Sequence, residues 1–483
     1  MGIAILASIA TAAAQMAAME PTILLVAAWV AGTAAVLALL FAFVVLPIVR
    51  KRARDAERAR VEAERPAAAV PPSQPLRLLA SLRAYLGRVA TQEKPDIIEL
   101  LDHLLGQSRK IGASDIHLSP AAEGMKAAVR VDGLLYDLAS FNNDARNATL
   151  VRVKVLSKLN VYKRDVPQDG RFLFPGPPSV DVRVSILPTI HGEKVVLRFL
   201  GSADVPYDIE HLGMDAEMLG RYRSFVSRPQ GLILVTGPTG SGKTTTLYAS
   251  LAAARERRGA GINLVTIENP VEYLVPWLNQ TQVNEDAGLS FAAGLRSVLR
   301  QDPNVIMVGE IRDRETAEIA MQAGLTGQLI FSTVHAESSA GVVARLLNMG
   351  TEPFILASAL VAVVGQRLVR RICQGCTTRA EPEAHQLELL KRLEVAPQFL
   401  AGPYWRGTGC DACLNMGVTG RTGLFELLEM TDDLREMIVK QVPTQQLHAA
   451  AIAAGMRPLL TAGLEQARSG VVTLDEVLSV VGS

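Results

Sequence analysis

The sequence is poor in cysteine and carries almost no excess of charge. Four cysteines in 483 residues are too few for a disulfide scaffold, so their spacing is more informative than their number. The 49 basic and 48 acidic side chains leave a net charge of +1, which indicates neither a nucleic-acid partner nor an acidic substrate. The sequence has no internal repeats, and its length predicts about two to four domains.

Charged residues are missing altogether from 21–49, a run longer than the about 20 apolar residues that cross a membrane as a helix. A basic cluster at 50–54 follows it, whereas Glu20 is the only charged residue before it. Because basic residues beside a span remain in the cytoplasm, we predict a transmembrane helix at 21–49, with the rest of the chain in the cytoplasm. A buried core helix is the alternative. For the apolar leader at 1–20, a signal peptide and one leg of an apolar hairpin both remain open.

The composition changes again after the basic cluster. Residues 50–94 carry charges of both signs and then become rich in proline and alanine, which predicts a linker. In residues 95–206, Ile97, Leu101, Leu104 and Leu105 fall at helical spacing, and strand-like runs follow: DIHLS, AAVRVDG, VDVRVSIL and KVVLRFL. This mixture predicts a small α+β domain.

Residues 207–372 contain four further apolar runs: GLILVTG, NLVTIEN, NVIMVGE and QLIFSTVH. Each run is bounded by turn signals and is separated from the next by a helical stretch, a pattern typical of buried parallel strands. We therefore predict an α/β nucleotide-binding domain with ligand-binding residues at the carboxyl ends of its strands. Residues 373–413 are expected to form a subdomain bounded by the cysteines, and residues 414–483 a helical C-terminal region.

The motif G-x-x-x-x-G-K-[ST] occurs at 237–244, between an apolar strand and a predicted helix. There, backbone N–H groups and the helix N-terminus bind nucleotide phosphates, the lysine reaches the β- and γ-phosphates, and Thr244 would bind Mg²⁺. An idle glycine-rich turn is the alternative. The predicted nucleotide-binding residues are Gly237, Pro238, Thr239, Gly240, Ser241, Gly242, Lys243, Thr244 and Thr245.

Carboxylates follow two other predicted strands. Glu310 ends the run NVIMVGE, where a carboxylate can order the water shell of the metal and orient the attacking water. Gly309 occupies the place of the aspartate that is usual in a Walker B strand. Glu268 and Glu272 in TIENPVE follow a third strand, and we expect them at the active site too. Surface solvation is the alternative for either of these two.

The cysteines form two C-x₂-C pairs. Cys373 and Cys376 belong to CQGC, and Cys410 and Cys413 belong to CDAC. Four thiolates in this pattern predict a tetrahedral structural Zn²⁺ site. The gap between the pairs is longer than in compact zinc ribbons, so an inserted subdomain is expected. Disulfides are the competing interpretation, which a cytoplasmic location disfavours.

Seven motifs occur in one order along the chain: GASDIHLSP, VPQDGRFLF, LPTIHGEKVVLRFL, VTGPTGSGKTTTLYASL, TIENPVEY, LRQDPNVIMVGEIRDRETAEIAMQAGLTGQLIFSTVHA and GRTGLFELL. In these motifs the chain resembles the secretion-type ATPases of type II secretion and type IV pilus assembly, the GspE/PilB group. The resemblance implies a RecA-like P-loop ATPase domain preceded by a PAS-like α+β domain. It also implies ATP hydrolysis that powers the assembly of pilin or pseudopilin fibres and protein export.

The resemblance assigns roles to the carboxylates. Glu310 would be the catalytic glutamate of the Walker B strand. Glu268 and Glu272 would lie in the acidic "Asp box", in which Asn269 replaces the usual aspartate. Because Glu268 remains, we expect the role of orienting water to be kept.

Histidine and arginine positions of the family are matched as well. His335 would lie near the γ-phosphate in the "His box", whose other usual histidine is Gln328 here. Arg183 and Arg198 match arginines of the preceding domain that reach the nucleotide in the family, where they would neutralise charge in the transition state. Further matches to charged positions of the cleft or of subunit contacts are Arg296, Arg300 and Arg312.

The resemblance also implies an assembly. We expect a homo-hexamer at the cytoplasmic face of the inner membrane, a platform protein of the GspF/PilC type, and no nucleic acid. A bitopic docking partner of the GspL/PilM type is a further candidate. ATP, Mg²⁺ and Zn²⁺ are the implied cofactors. The stretch before residue 95 is too short for the additional N-terminal domain of the family, so we expect the transmembrane helix to replace docking.

Two other functions remain as alternatives. One is a P-loop ATPase of conjugation or type IV secretion, against which the cysteines and LPTIHGEKVVLR argue. The other is a nucleotide-binding scaffold with little turnover, which Asn269 and Gln328 favour.

Overall fold

The structure, a computed structural model, describes residues 75–92, 95–176, 179–200, 208–259 and 261–482. The predicted transmembrane helix and the apolar leader lie outside these ranges. Within the ranges, no helix combines the length and the apolar character that a membrane span requires. The described residues form two large β-sheets, each of which packs against helices around a hydrophobic core.

The first sheet contains the antiparallel strands β1 (Asp115–Ala121), β2 (Gly124–Val131), β3 (Leu134–Phe141), β4 (Gln168–Phe174), β5 (Val180–Thr189) and β6 (Gly192–Leu200). Their order across the sheet is β3-β2-β1-β6-β5-β4. Buried residues alternate with less buried ones along β5, because only one face of the sheet packs on helices. Those helices are α1 (Pro75–Ala90), α2 (Ile97–Ile111) and α3 (Asn143–Leu156).

Helix α2 begins and ends where its sequence provides caps. The Asp96 side chain accepts hydrogen bonds from the N–H groups of Ile98 and Glu99, and Gly112 ends the helix with φ +81°. The predicted leucines Leu101 and Leu104 lie on the buried face of this helix. Helical spacing of apolar residues therefore predicted both the helix and the face that it buries.

Helix α1 corrects the predicted linker at 50–94. Leu79, Leu82 and Leu86 are at most 1% exposed and belong to the core of the first sheet. They lie on one face of the helix because they are spaced three and then four residues apart. The folded part of the chain thus extends back to Pro75 at least, and the proline-rich composition just before it concealed an amphipathic helix.

The second sheet contains β7 (Gly231–Thr236), β8 (Leu264–Glu268), β9 (Asn279–Gln282), β10 (Val305–Val308), β11 (Leu329–Thr333), β12 (Leu360–Ile372) and β15 (Val418–Glu429). The small ladder of β13 (Thr377–Ala380) and β14 (Tyr404–Gly407) lies between β12 and β15 in the chain. The order of the second sheet is β15-β12-β7-β11-β10-β8-β9; β15 is antiparallel to β12, and all other neighbouring strands pair in parallel. The four predicted strands are therefore confirmed as parallel and buried.

The helices of this part connect the strands and complete the C-terminus. They are α4 (Ala216–Val226), α5 (Lys243–Arg258), α6 (Phe291–Val298), α7 (Arg314–Leu325), α8 (Ser339–Asn348), α9 (Pro353–Ala359), α10 (Ala384–Arg392), α11 (Asp432–Val439), α12 (Thr444–Ala453), α13 (Leu459–Arg468) and α14 (Leu474–Val481). Two hydrophobic clusters cover the sheet, as expected for parallel strands with helices on both faces.

Strand β15 corrects the predicted helical region at 414–483, of which only the part after Glu429 is helical. The strand pairs with β12 from Ala362 opposite Glu429 to Ile372 opposite Val418. Residues 423–428 are buried although β15 is the edge strand of the sheet, because Phe425 and Leu427 belong to one of the two clusters that cover the sheet and Leu428 belongs to the other. The cysteine segment is therefore an insertion between two neighbouring strands.

The start of β15 also contacts the first sheet. The N–H of Gly420 donates to the Asp132 carboxylate in the β2–β3 turn, over 2.8 Å. Leu414, next to the last cysteine, packs against the core of the first sheet. The insertion and the first sheet are thus in contact.

Candidate active site

The carboxyl ends of the parallel strands meet at one edge of the second sheet. Ile267, Val308 and Ser332 are in register across β8, β10 and β11. The predicted site residues Glu310 and His335 follow β10 and β11 by two residues each. Glu268 is the last residue of β8, and Gly237 directly follows β7. The structure therefore brings the predicted phosphate loop, carboxylates and histidine to one edge.

The phosphate loop, residues 237–244, turns directly from β7 into α5. Gly242 begins the helix with φ +87° and makes no side-chain cap, so the first N–H groups of α5 remain available to an anion. A Cβ at Gly237 would lie 2.5 Å from the carbonyl oxygen of Gln366, so only glycine fits there. The buried Ser241 hydroxyl lacks a hydrogen-bond partner within the described residues. These features suit a nucleotide phosphate.

The Lys243 side chain donates hydrogen bonds to uncharged backbone acceptors of the same loop. Its ammonium donates to the carbonyl oxygens of Gly237 at 2.9 Å and Pro238 at 3.0 Å. Burial lowers the pKa of Lys243, the charge of Glu310 raises it, and that of Arg367 lowers it. An anionic ligand would compensate for the lost hydration of this ammonium better than carbonyl groups do.

Gln366 on β12 braces the phosphate loop from behind and was not predicted from the sequence. Its side-chain nitrogen donates to the Ser241 carbonyl at 2.5 Å, and its side-chain oxygen accepts from the Thr246 hydroxyl at 2.8 Å. The residue is 1% exposed. The brace therefore joins the loop to the first turn of α5 in a site closed to water.

Glu310 lies against the side chains of Arg312 and His335. Its Oε2 accepts a hydrogen bond from Arg312 Nε at 2.6 Å and lies 3.6 Å from His335 Nε2. The carboxylate is 13% exposed, whereas the other two side chains are more than half exposed at 68% and 54%. The hydrogen bond to Glu310 raises the pKa of Arg312. Arg312, a lesser candidate from the sequence, thus contacts the predicted catalytic carboxylate directly.

Glu268 occupies a different environment from the one expected. It is 3% exposed and accepts hydrogen bonds from the hydroxyls of Tyr248 and Thr266 and from the Gln280 amide. A carboxylate whose oxygens are occupied in this way ties α5 to β8 and β9 and is poorly placed to orient water. Glu272 is partly exposed and makes no hydrogen bond within the described residues.

Gln328 lies far from His335. It stands immediately before β11, where its carbonyl accepts the N–H of Gly231 at 3.1 Å, whereas His335 follows the other end of that strand. The five residues of β11 separate the two positions by about 16 Å. The two halves of the expected His box are therefore at opposite edges of the sheet.

The family arginines Arg183 and Arg198 face each other on neighbouring strands of the first sheet. Arg198 Nε contacts Asp115 Oδ1 at 2.7 Å, and its side chain is 60% exposed. Arg171 on β4 lies opposite Arg183, which extends the row of arginines to a third strand. The strand register shows that the three arginines form a row, and the Asp115 carboxylate supplies the opposite charge.

The other two candidate arginines make local contacts. Arg296 forms an ion pair with Glu315, and Arg300 donates to the carbonyl oxygen of Arg296 at 3.0 Å. Both lie on the C-terminal side of α6.

The four cysteine sulfurs form one compact cluster with all pairs within 4.8 Å. Three of the sulfur–sulfur distances are 3.7, 3.8 and 3.7 Å, close to the about 3.8 Å edge of a tetrahedron with Zn–S bonds of about 2.3 Å. The N–H groups of Cys410 and Gly417 each donate to Cys413 Sγ at 3.2 Å. Such distances and donors fit a metal-bound thiolate, and all four cysteines are free of disulfides.

Comparison with known proteins shows the family of the chain. Residues 90–479 match the family described as Type II/IV secretion system protein. This chain belongs to that family. The Type II secretion system ATPase E of Vibrio cholerae is 42% identical over 393 residues, which cover 81% of this chain and 76% of the relative. The Type IV pilus assembly ATPase PilB of Myxococcus xanthus is 40% identical over 385 residues, which cover 79% and 67%.

A solved structure supports the same assignment. The Pilus Retraction Motor PilT with bound ADP is 25% identical, with a TM-score of 0.55, and the match covers 79% of this chain and 97% of that one. The protein is thus an α/β ATPase of the secretion family, and the resemblance inferred from the motifs is confirmed. ATP hydrolysis, rather than nucleotide binding alone, is the activity of this enzyme.

A Gln366→Leu variant of this secretion ATPase should bind nucleotide more weakly. The substitution leaves the Ser241 carbonyl and the Thr246 hydroxyl unpaired in a buried site, at a cost of about 1–3 kcal/mol. We expect about a tenfold or greater loss of affinity for a fluorescent ATP analogue, measured by titration. The exposed Gln445→Leu on α12 is the matched control. Equal affinity of both variants would contradict the bracing role.

Proposed function

We propose that this secretion-family ATPase is a motor that powers the assembly of pilin or pseudopilin fibres, and with it protein export, in a type II secretion or type IV pilus system. The observation that supports this most strongly is the group of Glu310, Arg312 and His335 at the same sheet edge as the phosphate loop. The names of the relatives, a type II secretion ATPase and a type IV pilus assembly ATPase, support fibre assembly and protein secretion as the processes that the motor drives.

Individual residues are proposed to act as follows. The loop N–H groups and Lys243 bind the phosphates, and Thr244 would hold a Mg²⁺ ion that neutralises charge on them. Glu310 orients and activates the attacking water, and His335 contacts the terminal phosphate beside it. Glu268 serves this site by fixing β8 against α5, and Glu272 supplies negative charge at the rim.

Arg183 and Arg198 are proposed to couple the nucleotide to movement of the first sheet. ATP can shift the arrangement of two domains only if it binds one arrangement better than the other. Guanidinium groups that reach the γ-phosphate from the first sheet would supply that difference. Arg198 then exchanges Asp115 for phosphate oxygen during each cycle.

The assembly around the motor is proposed from the family. We infer a homo-hexamer that acts on a platform protein of the GspF/PilC type at the cytoplasmic face of the inner membrane, with a GspL/PilM-type protein as a second candidate partner and no nucleic acid. The uncharged run at 21–49 is proposed to anchor the ring in that membrane. The cysteine cluster is proposed to hold a structural Zn²⁺ ion that closes the insertion between β12 and β15.

Glu310→Gln should separate binding from hydrolysis. The amide keeps the shape of the side chain but removes the base, so phosphate release by the purified protein should fall by roughly 100-fold or more. Affinity for a fluorescent ATP analogue should remain, whereas Lys243→Ala should lose both. Cells that carry either variant should lose fibre growth or secretion. Wild-type phosphate release by Glu310→Gln would refute the assigned base, and normal fibre growth or secretion with Lys243→Ala would refute the motor.

The cysteine cluster should contain about one zinc ion per chain, measured by elemental analysis of the purified protein. Cys413→Ser should lower the zinc content and make the insertion at 373–413 sensitive to protease, because one of four ligands is lost. Ser469→Ala, an exposed change outside the cluster, should have neither effect. Two disulfides detected by mass spectrometry, without zinc, would contradict the proposed metal site.

Membrane retention should depend on the uncharged run. Full-length protein should remain with membranes after carbonate extraction, because a spanning helix is not released by high pH. A chain without residues 1–69 keeps α1 intact and should appear in the soluble fraction with its ATPase activity preserved. Release of the full-length chain by carbonate would argue against the anchor.

A further inference from the structure

The segment that carries His335 is tied to several strands of the second sheet. We call residues 334–339 the His335 loop. The Thr236 hydroxyl on β7 donates to the Ala336 carbonyl at 2.9 Å and accepts the Ala336 N–H at 3.1 Å. Arg367 Nη2 on β12 donates to the Glu337 carbonyl at 3.0 Å. Two strands thus hold the middle of the loop by its backbone.

A third strand holds the end of the loop through a buried carboxylate. Glu426 on β15 is 3% exposed, and its Oε1 accepts the N–H of Ser339 at 2.9 Å and the hydroxyl of Ser339 at 2.5 Å. A carboxylate is expensive to bury unless it accepts hydrogen bonds of this kind. Glu426 belongs to the motif GRTGLFELL, to which no role in the ATPase site has yet been given.

The geometry around Glu426 leaves little freedom. Gly365 lies opposite Glu426 in the β12–β15 ladder, and a Cβ there would approach Glu426 Oε1 to 3.2 Å and the Ser339 hydroxyl to 2.9 Å. A side chain at this position would therefore displace the contact. The glycine makes room for a carboxylate that reaches across β12 to α8.

Glu426 adds to the side-chain cap of α8 and does not replace it, because Ser338 supplies that cap. The Ser338 hydroxyl accepts the N–H of Gly341 at 3.1 Å. Glu426 instead fixes the first residue of the helix, only four residues after His335. The negative charge is also favourable at this helix end.

We propose that Glu426 is a positioning residue that holds His335 beside Glu310 by fixing Ser339, with Arg367 as a second anchor of the same loop. The inference rests on the proposed roles of His335 and Glu310. Arg367 adjoins Gln366, so a pair of consecutive residues on β12 contacts both the phosphate loop and the His335 loop. Loss of the Glu426 anchor should change the rate of hydrolysis more than the binding of ATP.

The test compares Glu426→Ala, Glu426→Gln and the exposed control Glu388→Ala on α10 in the full-length protein. Glu426→Ala should lower kcat roughly tenfold or more, because small displacements of a reacting group are costly, with little change in KM. Glu426→Gln retains an oxygen acceptor for both Ser339 donors and should restore kcat to near the control value. A parallel rise in KM, or failure of Glu426→Gln to restore kcat, would overturn the proposal.

A double-mutant cycle with His335 separates positioning from general destabilisation. If Glu426 acts through His335, Glu426→Ala should cause no further fall in kcat in a His335→Ala background. An equal loss in both backgrounds would overturn the inference while leaving the proposed motor intact. Wild-type kcat for His335→Ala alone would instead refute the assigned role of His335, and the inference with it.

A milder variant keeps the test valid if Glu426→Ala fails to fold. Ser339→Ala removes the hydroxyl donor but keeps the N–H donor to Glu426. We expect a smaller fall in kcat, again without a change in KM and again absent in the His335→Ala background. A kcat equal to that of Glu388→Ala would overturn the proposal.

Discussion

The ATPase site depends on the parallel pairing of β12 with β7. Gly365 lies level with Thr236, so the next residue of β12 stands beside the first residue of the phosphate loop. The Gln366 side-chain amide is hydrogen-bonded to the phosphate loop, and the Arg367 side chain is hydrogen-bonded to the His335 loop. Each hydrogen bond contributes only about 1 kcal/mol, but an unpaired buried partner would cost more. The pairing of these two strands therefore sets the separation of the two loops.

Continuous apolar runs predicted four of the seven strands of the second sheet, β7, β8, β10 and β11, because parallel strands are buried on both faces. Less regular segments were harder to predict. Strand β4, QDGRFLF, begins with polar residues, and β3 has a polar residue between apolar ones, so neither run stood out. The local sequence of β15 does not predict a strand, because its identity as a strand depends on pairing with β12, which is distant in sequence.

The motif residues of the site could be predicted because a few consecutive residues bind phosphate. Their supports could not be predicted, because each comes from a remote strand. Gln366 contacts Thr246 across 120 residues, and Glu426 contacts Ser339 across 87. The burial of Glu268 likewise depends on Tyr248 and Gln280, which no local pattern places beside it.

The late position of β15 in the chain has a consequence for synthesis. When the ribosome has made the chain up to Ile372, six of the seven strands of the second sheet have been synthesised. One edge of the long strand β12 still lacks a partner strand. An exposed apolar edge of this kind can pair with a neighbouring nascent chain. The cysteine insertion returns residues 418–429 to that edge of β12 within the same molecule, and their pairing removes the unpaired edge.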